Sequence, residues 1–209
     1  MGERRWYERA FGNGSSLVTE PPIITALRDR RSAGKLKPDP IPRELVEQII
    51  TAATWAPNHR LTEPWRFVVL AGEARAALGE VMAERLRTRL ADPIGDREAA
   101  QLAKERNKPL RAPVVIAVAA VPSRASGVVE SEEVAAVAAA VQNMLLAAEA
   151  LGLGAIWRTG DAANDDQVRA HLGFPAEAHI VAFFYLGYPE DAPRRPRESD
   201  GAAFTTWRG

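Results

Sequence analysis

Apolar residues recur along the chain with two different periods. Residues 22–31 carry Ile23, Ile24 and Leu27 as the stripe of a first helix, which Gly34, Pro38, Pro40 and Pro42 forbid from continuing. Pro42 suits the first turn of a second helix, in which Leu45, Val46, Ile49, Ile50 and Ala53 share a face and which Pro57 ends. After Gly72, Leu78, Met82, Leu86 and Leu90 predict a charged amphipathic helix, and another follows over residues 96–107. This pair is the most polar helical part of the chain and is expected to form a mobile cap. Residues 132–154 place Val134, Val137, Val141 and Leu145 in one stripe with alanine on most other faces. A helix so small-sided packs closely, in the core or against a second subunit. A short helix over 164–171 is closed by Gly173.

The strand-like runs are 65–70 (WRFVVL), 113–121 (PVVIAVAAV), GAIWR before the turn at Thr159–Gly160, and 179–187 (HIVAFFYLG). The second is apolar throughout, as in a strand buried on both faces. Strands and helices alternate without a clean βαβα rhythm, and neither a repeat nor a linker divides them. The pattern predicts one sheet with helices on both faces. Residues 1–21 lack a period and are expected to be a flexible extension or an arm on a partner. Residues 22–209 are expected to be one domain.

Composition narrows the chemistry. The 209 residues carry 27 Lys plus Arg and 27 Asp plus Glu, so net charge points to neither nucleic acid nor membrane surface. With no cysteine, thiolate nucleophiles, disulfides, iron–sulfur clusters and cysteine zinc sites are excluded, and any redox chemistry must come from a bound cofactor. The N-terminus has no apolar signal region, and the unbroken apolar run 112–122 is too short to span a bilayer, so a cytoplasmic protein is expected.

Two basic clusters attract notice. RDRRSAGKLK (28–37) offers arginine forks and a serine hydroxyl suited to a phosphate, or a solvated helix end; RRPR (194–197) is a second cluster or a solvated tail. GLGAIWRTG (152–160) is not a dinucleotide fingerprint, because it lacks the third glycine and precedes a strand instead of following one. Its strand end, Trp157, Arg158, Thr159 and Gly160, suits close approach of backbone N–H groups to a ligand, or a packed Trp and a turn. None of His59, His171 and His179 has metal-ligand spacing, and serine-hydrolase and P-loop motifs are missing. The loop APNHRLTEPW (56–65) is far richer in hydrogen-bonding groups than a plain turn requires.

In order, RRS (30–32), the loop APNHxxxxPW, GLGAIWRTG and FFYLGYP resemble the FMN-dependent nitroreductase family, most of all its small bacterial members, over residues 22–209. The resemblance implies an α+β fold of three layers (α/β/α), with a central mixed, mainly antiparallel sheet flanked by helices, in an intertwined homodimer with FMN at the subunit interface. It implies that Arg30, Arg31 and Ser32 hold the phosphate and ribityl chain, with Arg197, or next Arg195, reaching the phosphate. Trp55, Asn58 and His59 of the other subunit would border the isoalloxazine. Trp157, Arg158 and Thr159 would lie beside it, with Arg158 or Arg31 stabilising its negative side and a backbone N–H of Thr159 or Gly160 near N5.

The implied activity is NAD(P)H-dependent reduction of nitroaromatics, quinones or related electron-poor acceptors by ping-pong hydride transfer through flavin N5. No catalytic acid or base and no metal is implied. The fold also carries flavin-fragmenting and dehalogenating relatives, for which residues 73–108 would supply a lid, and non-enzymatic flavin binding is a third reading. The chain departs from the family at Trp55 (commonly Arg in its closest relatives), Leu61 (commonly Asn) and Glu63 (commonly Gln).

Overall fold

The computed structural model describes residues 20–90, 94–191 and 198–208. They form two compact units: 20–30 with 198–208, and 31–90 with 94–191. Arg195 and Arg197 lie outside the described residues, as does all but the end of the N-terminal extension.

The larger unit is built on a four-stranded sheet of β1 (Trp65–Ala71), β2 (Val114–Ala120), β3 (Gly154–Arg158) and β4 (His179–Gly187), in the order β1-β2-β4-β3. Every pairing of these strands is antiparallel. A parallel element enters only as an isolated bridge between Ser32 and Ala155, which is how the expected mixed sheet is realised among the described residues.

Alternation along β2 explains the two cores. Val114, Ile116, Val118 and Ala120 face one side, where α2 (Arg43–Thr54) and α5 (Glu130–Ala150) pack with Ile49, Val137, Val141 and Met144. Val115, Ala117 and Ala119 face the other, with Leu78 and Met82 of α3 (Glu73–Arg87) and Val168 of α6 (Asp166–His171). The alanine-rich α5 is thus a core helix. Among the described residues it is the one helix long and apolar enough to cross a bilayer, yet one face lies buried against the sheet and α2.

The expected polar cap divides in two. Leu78, Met82 and Ala83 bury α3 firmly, whereas α4 (Asp96–Arg106) buries none of its residues. The two helices meet at Gly79, where a Cβ would stand 2.0 Å from the Arg106 carbonyl oxygen.

A bulge interrupts the β2–β4 register between Val118 and Ala119, leaving Val181 as the extra residue. The Val181 carbonyl accepts the indole N–H of Trp157 at 2.9 Å. Trp157 is therefore a fastener between β3 and the bulge as well as a candidate ligand contact.

In the smaller unit, α1 (Pro22–Asp29) stops two residues before the expected end, because Arg30 adopts extended backbone angles (φ −53°, ψ 129°). Glu20 accepts from Thr25 Oγ1 and pairs with Arg28. Its stripe of Ile23, Ile24 and Leu27 is exposed, as are Phe204 (86%) and Trp207 on the C-terminal segment.

Candidate functional site

Segment 31–37 carries Arg31 and Ser32 and is sewn to the outer edge of β3 and the end of β4. Ala33 N–H donates to Ala155 O (3.0 Å), Lys37 N–H to Tyr188 O (2.8 Å) and Glu190 N–H to Lys35 O (3.2 Å). The Arg31 N–H donates to Glu149 at the C-terminal end of α5 (3.2 Å). Close approach is possible because Gly154 and Gly187 face each other across β3 and β4. A Cβ on Gly154 would stand 2.7 Å from Ala33 Cβ, and one on Gly187 would stand 2.9 Å from Pro113 Cδ and 3.0 Å from Leu36 Cβ. Of the two glycines that fail as a dinucleotide fingerprint, Gly154 thus has a packing function, whereas a Cβ on Gly152 would meet nothing within 4 Å.

Two motifs more than 120 positions apart are thereby joined. Arg31 and Ser32 lie beside the start of β3, and Arg158, Thr159 and Gly160 at its end are all exposed. Ala155 and Arg158 are three steps apart along the strand, roughly 10 Å. Gly160 has φ +89°, which favours glycine, and a Cβ there would meet nothing within 4 Å. The Arg158 guanidinium stands 5.9 Å from the centre of the Tyr185 ring. Burial pushes the Tyr185 phenol up, while the charges of Arg158 and Arg111 act downward on it.

Beside this strand end is a cleft of about 370 Å³, lined by Met82, Lys108, Arg111, residues 157–160, Phe183 and Tyr185. Lys108 and Arg111, in the 3-10 turn Lys108–Arg111, have no counterpart in the sequence reading. Only the chain's return onto β4 brings them near Arg158.

Trp55, Asn58 and His59 are not brought to this edge. Trp55 caps the C-terminal end of α2 and is 77% exposed. Much of the loop's polarity is spent on holding the loop in place, chiefly against the start of α5 and the segment before it. Glu63 N–H donates to Asn58 Oδ1 (3.0 Å), His59 Nδ1 meets Glu132 (2.7 Å), and Arg60 donates to the Ser126 carbonyl (3.1 Å). Thr62 Oγ1 donates to Glu133 (2.6 Å), a carboxylate only 1% exposed that also accepts the Ser123 N–H. These anchors hold Arg60, Leu61 and Glu63 at φ 58°, 53° and 48°, a left-handed conformation costing about 1–2 kcal/mol each.

Glu133→Ala should therefore cost about 2 kcal/mol, the scale of a hydrogen bond to a charged group, and speed proteolysis within 57–64. Urea denaturation with limited proteolysis checks this; wild-type stability with an intact loop would show the anchor to be idle.

The two halves of the expected site thus sit at opposite ends of one helix. Loop 58–62 is tied to Glu132 and Glu133, and Arg31 to Glu149. On a helix rising ~1.5 Å per residue, Glu132 and Glu149 are about 25 Å apart along the axis.

The donor set at the β3 edge fits a phosphorylated flavin. A guanidinium and a hydroxyl lie at one end, a cation and a glycine-opened turn at the other, and the spacing is commensurate with a ribityl chain. Placement of Arg30 adds only that it caps α1, its N–H donating to Ala26 O at 3.0 Å.

Comparison with known proteins agrees with the fold. The Escherichia coli (strain K12) protein named "Putative NAD(P)H nitroreductase YdjA" is 35% identical over 168 residues, covering 80% of this chain and 88% of that protein. The structure of a nitroreductase-like family protein from Bacillus cereus superposes with a TM-score of 0.77 at 23% identity, over 92% of this chain and 99% of that one. That of the FMN-dependent nitroreductase NfnB from Mycobacterium smegmatis, in complex with NADPH, superposes with a TM-score of 0.67 at 19% identity, over 90% and 98% of the two chains. The Nitroreductase family pattern matches residues 27–188, and the chain belongs to the nitroreductase family.

Proposed function

We propose that this protein is an FMN-dependent NAD(P)H oxidoreductase that reduces nitroaromatic, quinone or related electron-poor acceptors, and that it works as a homodimer. The carrying observation is the separation of about 25 Å between the anchors of Arg31 and of loop 58–62 along α5. This separation supports a second copy as the source of the loop. Exposed Ile23, Ile24, Leu27, Trp55, Leu61 and Phe204 support burial against another subunit. Relatives named for NAD(P)H and FMN support the cofactor and the electron donor.

When bound, the flavin supplies the two-electron chemistry, taking a hydride from the nicotinamide and delivering it, with a proton from solvent, to the acceptor. The chain's part is placement and charge. Arg30, Arg31 and Ser32 would hold the phosphate, with Arg197 as a further candidate. Arg158, Thr159 and Gly160 would border the ring, where a fixed positive charge favours electron gain. Trp55, Asn58 and His59 of the second copy would close the other side and limit which acceptors enter. Residues 22–209 would act as one functional domain.

The test is an anaerobic titration of the purified protein with NADH and NADPH, followed by flavin absorbance and then by addition of a nitroaromatic or quinone. A yellow protein that bleaches and recolours is expected, together with a dimeric mass by light scattering. Arg31→Ala and Arg158→Ala should each weaken FMN binding about tenfold or more, the scale of one charge-assisted contact. A colourless monomer that refuses added FMN would overturn the proposal.

A further inference from the structure

The cleft beside β3 holds more positive charge than the cofactor reading uses. Three cations line it: Lys108, Arg111 and Arg158. Lys108 pairs with Glu105 at 2.5 Å. Asp161, which follows the lining residue Gly160, is engaged by Arg85 (3.3 Å) and Arg89 (3.8 Å). Among the described residues, neither Arg111 nor Arg158 makes an ion pair. Two guanidiniums thus face one cleft uncompensated, and both are near enough to act on the Tyr185 phenol. The cleft's other side-chain walls are Met82, Phe183 and Tyr185, apolar or aromatic. Its volume of about 370 Å³ lies at the small end of ligand sites. A flat ring carrying one planar anion matches such walls, because the arginine fork is complementary to a carboxylate.

We propose that Arg111, beside the flavin edge that Arg158 borders, forms an anion subsite for the acceptor, so that the protein selects aromatic acids over neutral aromatic compounds. The inference rests on the flavin-oxidoreductase reading and adds a substrate class to it. The flavin phosphate has its own donors in Arg31 and Ser32, about 10 Å along the strand from Arg158, which leaves the Arg111 side of the cleft to a second ligand.

The experiment compares kcat/KM for 4-nitrobenzoate and 4-nitrobenzyl alcohol in the flavin-loaded protein. The acid should be favoured about tenfold, as one charge-assisted contact at an open site allows, and the preference should shrink with added salt. Arg111→Gln should bring the ratio near one, mainly through KM, while Arg111→Lys should keep part of it. A wild-type ratio near one, or a ratio that Arg111→Gln leaves intact, overturns the subsite. Loss of FMN from Arg111→Gln would assign that charge to the cofactor and also overturn it.

Calorimetric titration of the purified protein with benzoate separates this inference from the broader reading. If neither nitro compound is reduced, the enzyme reading fails. Benzoate binding that disappears in Arg111→Gln then still supports the subsite, and absence of binding to wild type refutes it.

Discussion

Replacing Arg85 with alanine is expected to lower folding stability by about 3 kcal/mol or more. The guanidinium is 3% exposed, forms an ion pair with Asp165 at 2.9 Å and another with Asp161 at 3.3 Å. These two partners are unequal. Asp161 is largely exposed, so its share is that of a surface pair, and Asp161→Asn should change stability by less than about 1 kcal/mol. Asp165 is mostly buried and caps α6 through the N–H groups of Gln167 and Val168, so removing Arg85 strands a carboxylate that the helix still needs. Arg89 lies 3.7 Å away and offsets part of the loss. A double-mutant cycle between Arg85→Ala and Asp165→Ala in urea denaturation measures the coupling. If each change simply adds to the other, the pair is not what joins α3 to the turn behind the cleft.

The second large effect is expected at Gly79, where two contributions oppose each other. Alanine is favoured over glycine in a helix by about 1 kcal/mol. Its Cβ, however, would stand 2.0 Å from the Arg106 carbonyl oxygen and 3.0 Å from the carbonyl carbon, and backbone cannot rotate aside as a side chain can. Forcing α4 away from α3 belongs with the worse cases of overpacking, about 3 kcal/mol. The net expectation for Gly79→Ala is a loss of about 2 kcal/mol in urea denaturation, with faster hydrogen exchange in α4. An alanine variant as stable as wild type, with α4 exchange unchanged, would mean the helices do not meet at this point.

Both effects concern a segment whose pattern was misleading. α3 is rich in charge, and only its buried Leu78, Met82 and Ala83 show that it belongs to the core. Arg85 reads as one more surface cation, because the aspartates that bury it come some 80 positions later. The same limit hid Lys108 and Arg111, whose role depends on the chain's return through β3 and β4. Local pattern served well where one element decides its own fate. Residues 179–187 form the strand as expected, Pro42 and Pro57 bracket α2, and the alanine face of α5 lies in the core. Strand order and the facing glycines 154 and 187 are products of non-local pairing and were not legible. Of the candidate residues, Arg31, Ser32, Trp157, Arg158 and Thr159 lie along one strand, whereas the polar loop is shaped largely by its own anchors.

The helix between Glu132 and Glu149 acts as a gauge. In a two-fold pair its length sets how far apart the donating and receiving ends of each chain lie. Adding or deleting one turn would shift both by about 5 Å together. Its alanines can be exchanged for other small residues, but in the proposed homodimer a change in the number of residues between its two glutamate anchors would throw both proposed cofactor pockets out of alignment at once.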